Sequence, residues 1–191
     1  MSAPSQIDII STALVQVGHQ PIPTLDGDVG NAARLIYNSV VRHLLSLHYW
    51  RFTLSEAELA QLASVSPITE WTYAYTLPTD ILVPVGLTSY APYTIKQGKL
   101  YCDQAEDVNL VYVAEVGVSY FPAYFTQALI DELAMRYAFS IADNTQRGEL
   151  FRSISQKSLQ IAKAKDSQTG QPASLSVSIS DMLARYPATR P

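Results

Sequence analysis

The hydrophobic period of this chain changes twice, and that change constrains the fold more than any single residue. Over residues 5–17, SQIDIISTALVQV, the side chains Ile7, Ile10, Leu14 and Val17 recur at helical spacing, and Gly18 stops the pattern. Two prolines in GHQPIPTL keep the connection extended. Residues 29–49 return to the helical period with a stripe of Ala33, Ile36, Val40, Leu44 and Leu47, broadened by Tyr37, Val41 and Leu45. From residue 50 to 116 the period falls to two. WTYAYTL sets Trp71, Tyr73 and Tyr75 against Thr72, Ala74 and Thr76. ILVPVGLTSY contains Pro84, which predicts an edge strand or a bulge. YTIKQGKLYC reads as a hairpin turning at Lys96-Gln97-Gly98, and VNLVYVAEV closes the set. Residues 55–63, SEAELAQLA, fit either period.

Helix returns at Pro122. Phe125, Leu129, Leu133 and Tyr137 follow at steps of four, with Ile130 and Ile141 beside them. A last long helix is predicted over Gln146 to Asp166. Its inner face is expected to carry Leu150, Ile154 and Ile161, with Phe151 next to it, and Lys163 and Lys165 in its last turn suit the helix dipole. The fold class is therefore α+β. An antiparallel bundle of about four helices holds a small, mostly antiparallel β-sheet between helices two and three, and an extended C-terminal arm follows. The expected divisions are 1–50 and 119–169 for the bundle, 51–118 for the β insertion and 170–191 for the arm.

The chain has 191 residues, 48% of them hydrophobic and 16% charged, which fits one packed domain and not a disordered one. The net charge of -4 argues against a basic nucleic-acid binder. One cysteine, Cys102, excludes an internal disulfide and is compatible with a reducing compartment. No apolar run approaches about 18 residues, so no membrane span is expected. MSAPSQIDII lacks the basic start of a signal peptide, so the expectation is a protein made in a cytoplasm.

Candidate chemistry is sparse. TLDGDVGNAARLI places Asp26 and Asp28 like the start of a calcium loop, but Val29 takes a ligand position and Tyr37 stands where a bidentate glutamate belongs. It reads as a turn and a helix start, capped by Asp28 or Asn31. His43 and His48 are five apart, a poor spacing for a shared ligand face, and read with His19 as structural residues. Asp131 and Glu132 are helix neighbours about 100° apart and read as a solvated face, as do Glu56 and Glu58. Cys102 reads as a small half-buried residue, and the twelve tyrosines as core and interface residues. No nucleophile elbow, phosphate loop, dinucleotide fingerprint or paired-cysteine motif occurs. The expectation is no cofactor, no metal and no catalysis.

The order of segments carries more. WTYAYTLPTDILVPVGL (71–87), YTIKQGKLYCD (93–103), then VNLVYVAEV and YFPAYFTQALIDELAMRYAFSIA resemble the tail tubular protein A family. These are the head-to-tail adaptors, or gatekeepers, of short-tailed bacteriophages. VQVGHQPIPTLDGDVGNAARLIYNSVVRHLLSLHYWRFTL resembles the start of the same proteins, with an acidic turn, a long helix and a Trp-aromatic lead into the sheet. The resemblance covers about residues 5–170 and implies a structural virion protein made in the host bacterial cytoplasm. It implies a dodecameric ring between the portal protein and a tail nozzle of the tail tubular protein B kind. DNA would pass through its lumen without sequence-specific binding, and no membrane would be involved. Phe121 and Phe125 would anchor the third helix on the sheet.

Two further expectations follow. Past GQPAS, the residues Leu175, Val177 and Ile179 alternate with serines, and Met182, Leu183 and Tyr186 offer a short apolar anchor. A lone strand needs an existing sheet edge, so these six residues are interface candidates for a neighbouring subunit or the portal. The alternative function is a small hydrolase acting on cell wall or polysaccharide, which would use carboxylates such as Glu56, Glu70, Asp80 or Glu115.

Overall fold

The structure is a computed structural model that describes residues 4–63, 70–142 and 144–169. The α+β class holds. Helices α1 (Gln6–Gln16) and α2 (Gly27–Ser46) precede six strands, and α3 (Ala123–Ser140) and α4 (Thr145–Gln168) follow them. Two compact units result: a helical unit, made of the chain up to Phe52 and from Val116 through α4, and a β unit spanning Thr53–Glu115.

Local chemistry sets the helix ends. Ser5 Oγ accepts the Asp8 N–H at 3.3 Å while the Asp8 carboxylate accepts the Ser5 N–H at 2.9 Å, a reciprocal cap. Those bonds, the side chain's first, hold the Asp8 carboxyl below the usual carboxylate range. α1 ends as predicted at Gly18, whose φ of 86° lets Gly18 N–H reach Val15 O and His19 N–H reach Leu14 O, both at 3.0 Å. Ile10, Leu14 and Val17 are buried, with Ile9 and Ala13, while Ile7 is half-buried at the margin.

α2 starts earlier than expected. Asp26 is its N-cap, and the predicted caps Asp28 and Asn31 both lie within the helix. Gly30 packs closely on the chain entering the helix: a β-carbon there would stand 2.6 Å from the Leu25 carbonyl carbon. Leu47, placed on the apolar stripe, caps the far end and is 41% exposed.

Trp50 is fully buried and donates its indole N–H to Leu44 O at 2.8 Å, closing the end of α2. Its ring lies 5.1 Å from Phe125, which also meets Phe52 at 5.0 Å and Phe121 at 4.8 Å. Each such side chain contributes roughly 1.5–3 kcal/mol by burial. Phe121 and Phe125 thus take Trp50 and Phe52 as ring partners within the helical unit. α3 is the central helix and packs on α1, α2 and α4. That role needs apolar residues on most of its sides, and Phe125, Ala128, Leu129, Ile130, Leu133, Ala134, Tyr137 and Ala138 are all buried.

In the β unit, β1 (Leu54–Glu58), β6 (Asn109–Ala114) and β3 (Ile81–Leu87) form one antiparallel sheet in that order. β2 (Tyr73–Thr76), β5 (Lys99–Cys102) and β4 (Tyr93–Lys96) form a second. The ambiguous SEAELAQLA segment explains why one expected sheet became two. Its first half pairs with β6 as β1, and then Leu62 N–H bonds Ala74 O at 2.8 Å and Thr76 N–H bonds Ala60 O at 3.0 Å, moving the chain to the second sheet. β3 is an edge strand and its register breaks around Pro84, both as Pro84 predicted. The β4–β5 turn has positive φ at Gln97 (52°) and Gly98 (72°), the geometry a two-residue hairpin needs.

Candidate functional site

The four carboxylates named for hydrolysis do not converge. Glu56 lies on edge strand β1 opposite Val111, and the strand's period puts it on one face with Glu58, both exposed. Glu70 is exposed. Asp80 and Glu115 do come together at one end of the β3–β6 ladder: Glu115 N–H donates to Asp80 O at 2.7 Å, and Tyr112 Oη donates to Asp80 Oδ1 at 3.1 Å. Burial, then Asp80, pushes the Tyr112 hydroxyl up. Both acids of this pair face solvent, not the apolar pocket that makes a carboxyl a general acid at neutral pH.

Two acids read as solvated are not. Asp131 is 4% exposed and accepts Gln127 Nε2 at 2.9 Å and Ser158 Oγ at 2.5 Å. Glu132 is half-buried and takes Ser155 Oγ at 2.5 Å and Arg136 Nε at 3.0 Å. The reason lies on α4, which turns serines toward α3, and the 100° offset of the two acids gives each its own hydroxyl. Farther along, Asp166 is 1% exposed. It accepts Tyr124 Oη at 2.8 Å and Arg51 N–H at 3.1 Å, and His48 Nε2 stands 3.5 Å away. Burial lowers the His48 pKa against the opposing pull of Asp166. This junction ties the end of α4 to the segment after α2, so His48 is structural, as read.

The face of α4 is the main correction. Leu150 (58%), Ile154 (36%) and Ile161 (48%) were placed inside and are exposed, with Phe151 half-buried. The inner face is instead Gly148, Ser155, Ala162 and Asp166. A β-carbon on Gly148 would lie 2.4 Å from the Phe139 ring, so α4 approaches α3 more closely than branched side chains allow. The small residues Gly148, Ser155 and Ala162 recur every seven positions, and that spacing is the signal that marks the packed side. At 100° per residue, Leu150, Ile154, Lys157, Ile161 and Lys165 fall within one outward stripe. α4 carries five bases against Glu149 and the buried Asp166.

The β unit has the opposite balance: eight acids and two lysines between Thr53 and Glu115, a net -6. All eight acids are exposed. An open cleft of about 420 Å³ there has buried Leu59, Tyr75 and Val108 beneath exposed Glu58, Glu106 and Asp107. Cys102, read as half-buried, is fully buried on the middle strand β5, where it pairs with Tyr73 of β2 and Tyr93 of β4.

Of the stretch from Asp26 to Tyr37 weighed as a calcium loop, Asp26 is the N-cap and the rest is helical. Among the described residues, no three His, Cys, Asp or Glu side chains group as metal ligands. No helix there is long and apolar enough to cross a membrane. The interface candidates Leu175, Val177, Ile179, Met182, Leu183 and Tyr186 lie outside the described residues. No protein-family model and no curated protein matches the chain.

Proposed function

We propose that this protein is a head-to-tail adaptor of the tail tubular protein A kind, a structural subunit of a phage neck. Twelve copies would form a ring between the portal and a tail nozzle, with DNA passing through the lumen. The observation that carries the reading is the outward stripe of α4. Three large apolar side chains stand in solvent on a helix whose other side is sealed by hydrogen bonds, an arrangement that serves protein contact better than chemistry. The order of the sequence segments over residues 5–170 supports the same reading.

Native mass spectrometry of the chain, alone and with the portal protein, tests it. The expected result is twelve copies on each portal. Another copy number, or subunits that never touch, would refute it. The arm enters the same test: deleting 171–191 should leave a folded protein with weakened assembly. Unfolding, or unchanged affinity, would remove the arm from the proposal.

A hydrolase is the second reading, and it would rest on Asp80 and Glu115, whose backbones meet at one end of the β3–β6 ladder. It predicts that Asp80→Asn or Glu115→Gln abolishes release of fragments from peptidoglycan or capsular polysaccharide while the fold persists. If wild-type protein releases none, that reading is lost.

A further inference from the structure

We propose that the outward stripe of α4 in one copy seats on the acidic cleft of the β unit of the next copy, making the repeating contact of a head-to-tail assembly. The inference deepens the ring reading above and rests on it for closure. The two surfaces fit in charge. On α4, Ile154 and Ile161 project with Lys157 and Lys165 beside them. The cleft presents a mainly polar surface, with a rim that includes Glu58 and Glu106, over the buried Leu59 and Val108. An ammonium of the stripe at this rim meets the carboxylates, and the charges steer the register while the isoleucines are covered by the next copy.

The charge balance decides the occupant. The β unit is net -6 and α4 carries five bases, so unlike faces of two copies attract and like faces of the β unit repel. DNA is the poorer partner for α4, because phosphates gain nothing from Leu150, Ile154 and Ile161. Two different complementary patches on one chain give a heterologous contact, which closes into a ring when the rotation between copies allows it.

Charge reversal in the full chain tests this. Lys157→Glu/Lys165→Glu alters the helix stripe, and Glu58→Lys/Glu106→Lys alters the cleft. All four side chains are exposed, and circular dichroism checks the folds. Sedimentation should show wild-type self-association that weakens with salt. Each variant alone should associate roughly tenfold or more weakly. An equimolar mixture should recover wild-type association, because each altered face then finds its complement. Ile154→Asp/Ile161→Asp should also lose association, and no charge-swapped partner should rescue it.

Several results would overturn the contact. They are a wild-type chain that stays monomeric at about 1 mM in low salt, a cleft variant that associates like wild type, or a mixture without rescue. A fourth is duplex DNA binding that depends on Lys157 and Lys165 while self-association does not. The portal experiment stays separate. Twelve copies on the portal with no rescue would sink this contact alone, whereas rescue with no portal binding would support it and sink the adaptor reading.

Discussion

Asp131, Ser155 and Asp166 lie buried in the helical unit, whereas every acid between Thr53 and Glu115 in the β unit meets solvent. The first unit buries three of its polar side chains in internal hydrogen bonds and leaves apolar side chains outside on α4. The second keeps tyrosines, leucines and valines inside and surrounds them with carboxylates. A buried, hydrogen-bonded seam fixes one arrangement of two helices, because any slip leaves a carboxylate without donors. Exposed acids fix nothing internally, but they guard open strand edges from pairing with strands of other chains.

The sharpest way to break this contrast is Asp166→Ala. It strips acceptors from Tyr124 and the Arg51 N–H, and the expected loss is about 3 kcal/mol in urea unfolding. Glu56→Ala or Glu58→Ala in the β unit should change stability by no more than about 0.5 kcal/mol. Equal losses at the two kinds of site would end the distinction.

Glycines give a second comparison. Gly148→Ala should cost about 1–2 kcal/mol, because a β-carbon meets the Phe139 ring, and adding Phe139→Leu should restore part of it. Gly98→Ala should cost about 1 kcal/mol through its positive φ, since a β-carbon there meets nothing within 4 Å. No neighbouring substitution should rescue that one. A Gly148→Ala chain as stable as wild type would show that α4 packs less closely on α3 than described.

The smallest effect concerns pH. The folded-state pKa of His48 is lowered from 6.5, chiefly by burial, so the unfolded chain binds its proton first as pH falls. Its contribution is complete above 6.5 and declines below it. Unfolding midpoints between pH 7.5 and 5.5 should therefore fall less in His48→Gln than in wild type. An identical slope would mean that His48 is no more buried than in the unfolded chain.

The order of elements was legible because the hydrophobic period changes with each one. Pro84 and Gln97-Gly98 also gave their edge strand and hairpin, since backbone geometry there belongs to the residues themselves. The orientation of α4 was not legible from its apolar stripe. Leu150, Ile154 and Ile161 define a face, but a period cannot say which side a face turns to. Gly148, Ser155 and Ala162 could have said so, together with an α3 apolar on most sides. The seam acids were missed because their partners, Ser155 and Ser158, sit more than twenty residues away. At the junction, Asp166 and Arg51 are farther apart still. The Asp80–Glu115 pairing likewise depends on the β3–β6 register, which no local pattern encodes. The arm candidates at 175–186 rest on sequence alone.

Cys102 makes the chain its own probe. It is the sole cysteine, it is fully buried on β5, and burial pushes its thiol up, so little reactive thiolate forms while the sheet is intact. Alkylation by a maleimide then clocks the opening of that strand, residue by residue silent elsewhere. A second cysteine placed on the surface would take a fluorophore first, which gives single-site labelling without removing the native thiol.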